Sequence, residues 1–144
     1  MLDTNVYILQ LAGRLPPAVS ALVEAATLHH CTVCLAEIAV GLACRDVCAP
    51  GWRREMGAWA RVFGSMAPRR VHAPDTEAAT AAGLLAGTLA RVGGYGAPRR
   101  KDALNDALVF ATALKAGLPV LTENRADFDR LQQLVPEARV YYIL

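Results

Sequence analysis

No apolar run in this chain is long enough to span a bilayer, and no charged n-region leading into an apolar stretch opens it. Membrane and secreted classes are set aside, and the cytoplasm is the expected compartment. Net charge is nearly absent as well. A formal +2 over 144 residues is too small by itself to argue for nucleic-acid binding. No repeat or linker is visible, so residues 1–144 are expected to form one domain with a workable core. The hydrophobic fraction of 54%, much of it alanine and leucine, excludes a disordered chain.

Two chemistries lack their signatures. The four cysteines, Cys31, Cys34, Cys44 and Cys48, are spaced C-x2-C and C-x3-C, which invites a zinc reading. Cys31 and Cys34, however, fall where a strand runs into a helix. The Gly and polar residues of a zinc knuckle are missing, and free buried thiols in a reducing compartment fit better. A receiver-like phosphorylated aspartate is disfavoured because Asp3-Thr4-Asn5 has no second acid beside it, such as D-x-D. His29, His30 and His72 fall near strand beginnings and read as structural or solvent-facing.

What is present is an alternation of helices and short strands. Pro16-Pro17 opens a helix with Val19, Leu22, Val23 and Ala26 as its apolar face. His30–Val33 reads as a buried strand, followed by a helix over about Leu35–Cys44 with Glu37 in its first turn and Ile38, Ala39 and Leu42 inward. Trp52–Met66 is amphipathic. Arg70–Ala73 is a possible strand, and Asp75–Val92 an alanine-rich helix capped by Asp75 or Thr76. Gly93–Lys101, GGYGAPRRK, reads as a flexible basic loop. A helix over about Asp102–Ala116 ends at Gly117. Pro119–Thr122 is a strand, Arg125–Leu134 a helix, and Arg139–Ile143 a last strand. This order predicts a mainly parallel sheet with helices on both faces, which binds ligands beyond the carboxyl ends of its strands.

That edge collects acids. Asp3 follows the first short strand, Glu37 the second, and Thr122, Asn124 and Asp127 the strand ending near Leu121. Asp106 sits on a helix whose Leu104, Ala107, Leu108, Ala111 and Leu114 form one apolar stripe, with Val109, Phe110 and Ala113 opposite. Such a helix is buried, and an unpaired buried carboxylate is costly. Acids gathered on one edge raise each other's pKa unless a cation neutralises them. An all-oxygen ligand set suits Mg²⁺ or Mn²⁺. Each acid also has a plainer reading. Asp3 can cap a helix, Glu37 can favour a helix amino end, and Asp102 can do either. Asn124 and Asp127 can form a capping box. Arg99, Arg100, Lys101 and Arg125 are candidates for phosphate contact or plain solvated charge.

Four blocks, LDTNV at the start, AEIAVG around Glu37, NDALVFATAL around Asp106 and LTENRADF around Asn124, resemble the PIN domain in its VapC-like toxin–antitoxin branch. Together they frame nearly the whole chain. The resemblance implies a three-layer α/β/α sandwich and a metal-dependent endoribonuclease acting on RNA. It implies Mg²⁺ or Mn²⁺ held by Asp3, Glu37 and Asp106, with Asn124 or Asp127 as a further group and Asn5 as the polar residue after the first acid. It also implies a homodimer and a cognate antitoxin whose tail fills the active-site groove. Three departures stand out. The first strand is cut to almost nothing before Asp3, so either the start lies upstream of Met1 or the strand is short here. Cys34 stands where Ser or Thr is usual, with Thr32 a possible substitute, and Asn124 stands where many members have an acid. The alternative reading is a non-catalytic module of the same fold that binds RNA or protein.

Overall fold

The computed structural model describes residues 1–143. The sheet is small and parallel. Strand β1 (His30–Cys31) pairs with β2 (Val71–His72), and β3 (Val120–Thr122) pairs with β4 (Val140–Tyr142), both in parallel. Residues 1–3 join the two pairs. Leu2 bridges Leu121 in parallel, Asp3 N–H donates to the Leu121 carbonyl at 3.0 Å, and Leu2 N–H donates to the His29 carbonyl at 3.2 Å. The order is thus β2, β1, residues 1–3, β3, β4. The first strand is as short as the sequence suggests, yet it is the centre of the sheet. Met1 and Leu2 are both buried.

Seven α-helices surround this ribbon among the described residues: α1 (Thr4–Leu11), α2 (Pro17–Ala25), α3 (Thr32–Ala43), α4 (Trp52–Gly64), α5 (Thr76–Gly93), α6 (Ala97–Lys115) and α7 (Arg125–Leu134). The α/β arrangement is consistent with the expected three-layer sandwich. The core centres on α6, where Ala103, Ala107, Val109, Phe110, Ala111, Thr112 and Ala113 are all buried. Alanines at Ala78, Ala82 and Ala86 let α5 lie close along α6. The two helices are joined by a sharp turn. Gly94 takes φ +63°, and a Cβ on Gly93 would strike the Tyr95 ring at 2.3 Å, so both glycines are required there. Phe110 and Phe128, each fully buried, pack with ring centroids 6.3 Å apart and lock α6 to α7.

Several expectations need correction. The basic stretch is not a loop up to Lys101: α6 starts at Ala97, because Pro98 is tolerated in a first helical turn, and Gly96 caps it. Asp102 therefore sits inside the helix, not at its cap. Helix α3 starts at Thr32, which trims β1 to two residues and leaves Glu37 in the second turn. Leu22, read as inward, is 54% exposed, and Ala39 is exposed. Leu104 also points outward. All four cysteines are free, but only Cys31 and Cys34 are buried. Asp75, by contrast, caps α5 as predicted, accepting from Ala78 N–H at 3.0 Å. Gly117 takes the expected left-handed conformation after α6.

Truncating Phe110 to Ala removes the ring at this centre and should cost about 3–5 kcal/mol. The check is the urea midpoint at unchanged slope; a loss under about 1 kcal/mol would place the core elsewhere.

Candidate active site

The polar edge begins with Asp3, which is buried as the last residue of the central strand. It caps α1 by accepting from Thr4 N–H at 2.7 Å, and its other oxygen accepts from the Thr122 hydroxyl at 2.6 Å. Both plain readings of Asp3, strand end and helix cap, hold at once. Burial raises its pKa, opposed by these hydrogen bonds and by Asn5, while Glu37 raises it further. Asn5 also accepts from Glu123 N–H at 3.2 Å, tying α1 to the loop after β3.

Glu37 is gripped from two sides. The Thr4 hydroxyl donates to Oε2 at 2.5 Å and Asn105 Nδ2 donates to Oε1 at 2.6 Å. The position where Ser or Thr was anticipated has a different role: Cys34 is fully buried and its thiol donates to the Leu2 carbonyl at 3.6 Å. Thr4, not Thr32, meets Glu37. Neither Thr4 nor Asn105 was singled out from the sequence. Their adjacency to Asp3 and Asp106 is the signal that could have found them.

Asp106 is partly buried on α6. Its pKa is pushed up to about 8, first by burial and then by the charges of Asp3, Asp127, Glu37 and Asp102. The four candidate acids therefore do share one electrostatic environment. Asn124 Nδ2 donates to Asp106 at 2.9 Å and to Asp127 at 3.2 Å. Asn124 caps α7 by accepting from Asp127 N–H at 3.3 Å. The capping box is only half formed, because Asn124 N–H donates instead to Thr122 Oγ1 at 2.9 Å. Asp127 faces two cations, Arg99 at 3.2 Å and Arg130 at 3.4 Å. Arg130, also missed in the sequence, donates to the Tyr95 hydroxyl at 2.6 Å, and Arg99 stacks over the same ring at 4.5 Å.

The remaining basic candidates spread out. Arg100 is turned toward the Tyr95 carbonyl, Lys101 is exposed, and Arg125 lies over the Tyr142 ring at 5.7 Å. From Thr4 and Glu37 an open groove of about 610 Å³ runs between α1, α3 and α4, lined by Ile8, Leu11, Ile38, Leu42 and Trp59 among others.

In this arrangement no three His, Cys, Asp or Glu side chains among the described residues close into a ready-made cage. The acids form an edge spaced by Thr4, Asn105 and Asn124. Its donor set still fits a hard divalent cation: oxygen only, carboxylates that repel one another, and Asp106, whose pKa of about 8 keeps it protonated until a cation favours its charged form. Mg²⁺ in particular keeps several waters and does not need an all-protein cage.

No protein-family model matches the chain, and no curated protein sequence does. Solved structures match over almost all of it. VapBC from Salmonella typhimurium, solved bound to DNA, is 25% identical, with 100% of this chain and 97% of that chain covered and a TM-score of 0.68. VapBC-1 from nontypeable Haemophilus influenzae is 21% identical over 99% and 96%, with a TM-score of 0.67. VapBC2 from Rickettsia felis, bound to a fragment of promoter DNA, is 17% identical over 99% and 96%, also at 0.67. The fold is PIN-like, of the VapC type. In such a fold Asp3, Glu37 and Asp106 stand at the carboxyl edge of the parallel sheet, where ligands of such sheets bind.

The raised pKa of Asp106 has a measurable sign. An unfolded aspartate ionises near 3.9, so between about pH 4 and pH 8 the folded protein holds a proton that the unfolded chain has released. The resulting stability is complete below about pH 4 and is lost as pH rises through about 8. Asp106→Asn cannot ionise. Without divalent ions, its advantage in melting temperature over the parent should widen from about pH 5 to about pH 8, by roughly 2–4 °C for each kcal/mol involved. Parallel pH profiles for the two proteins would contradict the shift.

Proposed function

We propose that this chain is a metal-dependent endoribonuclease, the toxin of a type II toxin–antitoxin pair. The observation that carries this reading is the acidic edge itself. Burial, with Asp3, Asp127 and Glu37 close by, raises the pKa of Asp106 to about 8 at the ligand-binding edge of a PIN-like sheet. Asp3, Glu37 and Asp106 would hold Mg²⁺ or Mn²⁺, with Asn124 or Asp127 alongside. A divalent ion supplies Lewis-acid stabilisation of a phosphodiester and a more acidic water. The chain supplies the positioning. Thr122 and the Thr4 amide fix Asp3, Thr4 and Asn105 aim Glu37, and Asn124 steadies Asp106. Of the two fourth-position candidates, Asn124 already spends its oxygen on the α7 cap, and Asp127 is shared with two arginines. Arg99, Arg130 and the neighbouring Arg100 and Lys101 offer positive charge for RNA phosphates.

The groove between α1, α3 and α4 suits an antitoxin tail, since it offers apolar side chains such as Ile8, Leu11, Leu42 and Trp59 together with the cations Arg45 and Arg54, and it reaches Glu37. The same reading expects a homodimer. A non-catalytic binding module of the same fold is the second reading, favoured in that no closed carboxylate cage forms among the described residues.

Purified protein should cleave RNA when supplied with Mg²⁺ or Mn²⁺, stop when EDTA is added, and lose at least about a hundredfold in rate as Asp106→Asn, an effect of the size expected for removing charge at a reacting centre. Cleavage that survives both treatments would sink the metal mechanism. Manganese binding with no cleavage of any RNA pool would favour the binding module.

A further inference from the structure

The opposite end of the sheet carries the reverse charge. His29 precedes β1, and Arg69 and Arg70 belong to a short 3-10 turn, Pro68–Arg70, that precedes β2. Because β1 and β2 run parallel with His30 paired to Val71, these residues meet at the strands' amino ends. With Thr27 they line an open cavity of about 290 Å³. No acid answers them: among the described residues neither arginine forms an ion pair. Arg70 Nε is buried and has no hydrogen-bond partner, a donor that folded chains nearly always satisfy.

His29 adds a further donor. Its Nδ1 lies 2.9 Å from His72 Nε2, so one imidazole must donate to the other. When His72 donates, His29 keeps its own Nε2–H available. The local field is positive: after burial, Arg70 and the neighbouring imidazoles help to hold His29 and His30 below the usual histidine range. The catalytic reading uses none of these groups.

We propose that the cavity lined by Thr27, His29, Arg69 and Arg70 is a binding site for a phosphate group. Two guanidinium forks suit a multiply charged oxyanion and bind it through paired hydrogen bonds. The Thr27 hydroxyl and the imidazole can each add a donor to this lining. A cavity of about 290 Å³ has room for a phosphate, and because it is open the rest of the ligand can extend into solvent. The phosphate comes either from a free mononucleotide or from the backbone of a nucleic-acid strand.

Thermal melting in inorganic phosphate against chloride at matched ionic strength tests this. Phosphate should raise the melting temperature of the parent chain, and Arg70→Gln should weaken phosphate binding about tenfold or more, the usual consequence of losing a charged hydrogen-bond partner. Arg69→Gln and Thr27→Val, both at exposed positions, should each weaken it without disturbing the fold, and they carry the test if Arg70→Gln does not fold. The manganese-induced shift, which reports on the acidic edge, should be unchanged in all three. Titration of an Asp106→Asn background with uridine monophosphate and with a short single-stranded RNA separates the two sources: tighter binding of one, lost in Arg70→Gln, identifies it. A phosphate response that is absent, or equal in the parent and all three variants, would overturn the proposal.

Discussion

Asp3 is buried at the end of the central strand, and its carboxylate can stay there only because two donors reach it. One is the amide of Thr4, which makes Asp3 the cap of α1. The other is the hydroxyl of Thr122, at the end of the neighbouring strand. Thr122 in turn accepts from Asn124, whose side chain starts α7 and reaches back to Asp106. A single chain of hydrogen bonds therefore runs from the first strand through β3 to α7 and α6. Losing either donor to Asp3 would strand a buried charge, so sheet register, helix starts and site geometry are set together.

The same network concentrates acidic groups where the fold disfavours their charged forms. Asp106 is held near pH 8 by burial and by its acidic neighbours. Elsewhere the chain spends little on polarity: the α5–α6 hairpin is packed through alanines, and α6 and α7 are locked by two phenylalanines. Arginine cations are kept at the rim of the acidic edge, two of them on Asp127, while a second group of basic residues sits unopposed at the other end of the strands.

Much of this was readable in the residues. The apolar surroundings of Asp106, the acids following strand ends, and the Asp75 and Gly117 signals all pointed to the observed elements. The basic stretch before Asp102 was misread because glycine-rich spacing masked Pro98, whose place is a helix's first turn. Leu22 and Ala39 were misassigned because helical periodicity gives a face without saying what covers it. Thr4 and Asn105 escaped notice because hydrogen bonds between residues 33 and 68 positions apart leave no local pattern. The pairing of Arg130 with Tyr95 and Asp127 depends on a turn, Gly93–Tyr95, whose conformation fixes which helices meet.

The account rests on one charge state, and carbon-13 titration of the aspartate carboxyls reads it directly. Without divalent ions, the Asp106 signal should titrate near pH 8, and adding Mg²⁺, which is diamagnetic and leaves the carboxyl signals sharp, should drive its midpoint down into or below the ordinary carboxylate range, about 3.5–4. A midpoint already in that range without metal, or one that Mg²⁺ does not move, would contradict the claim that this edge is built to be completed by a cation.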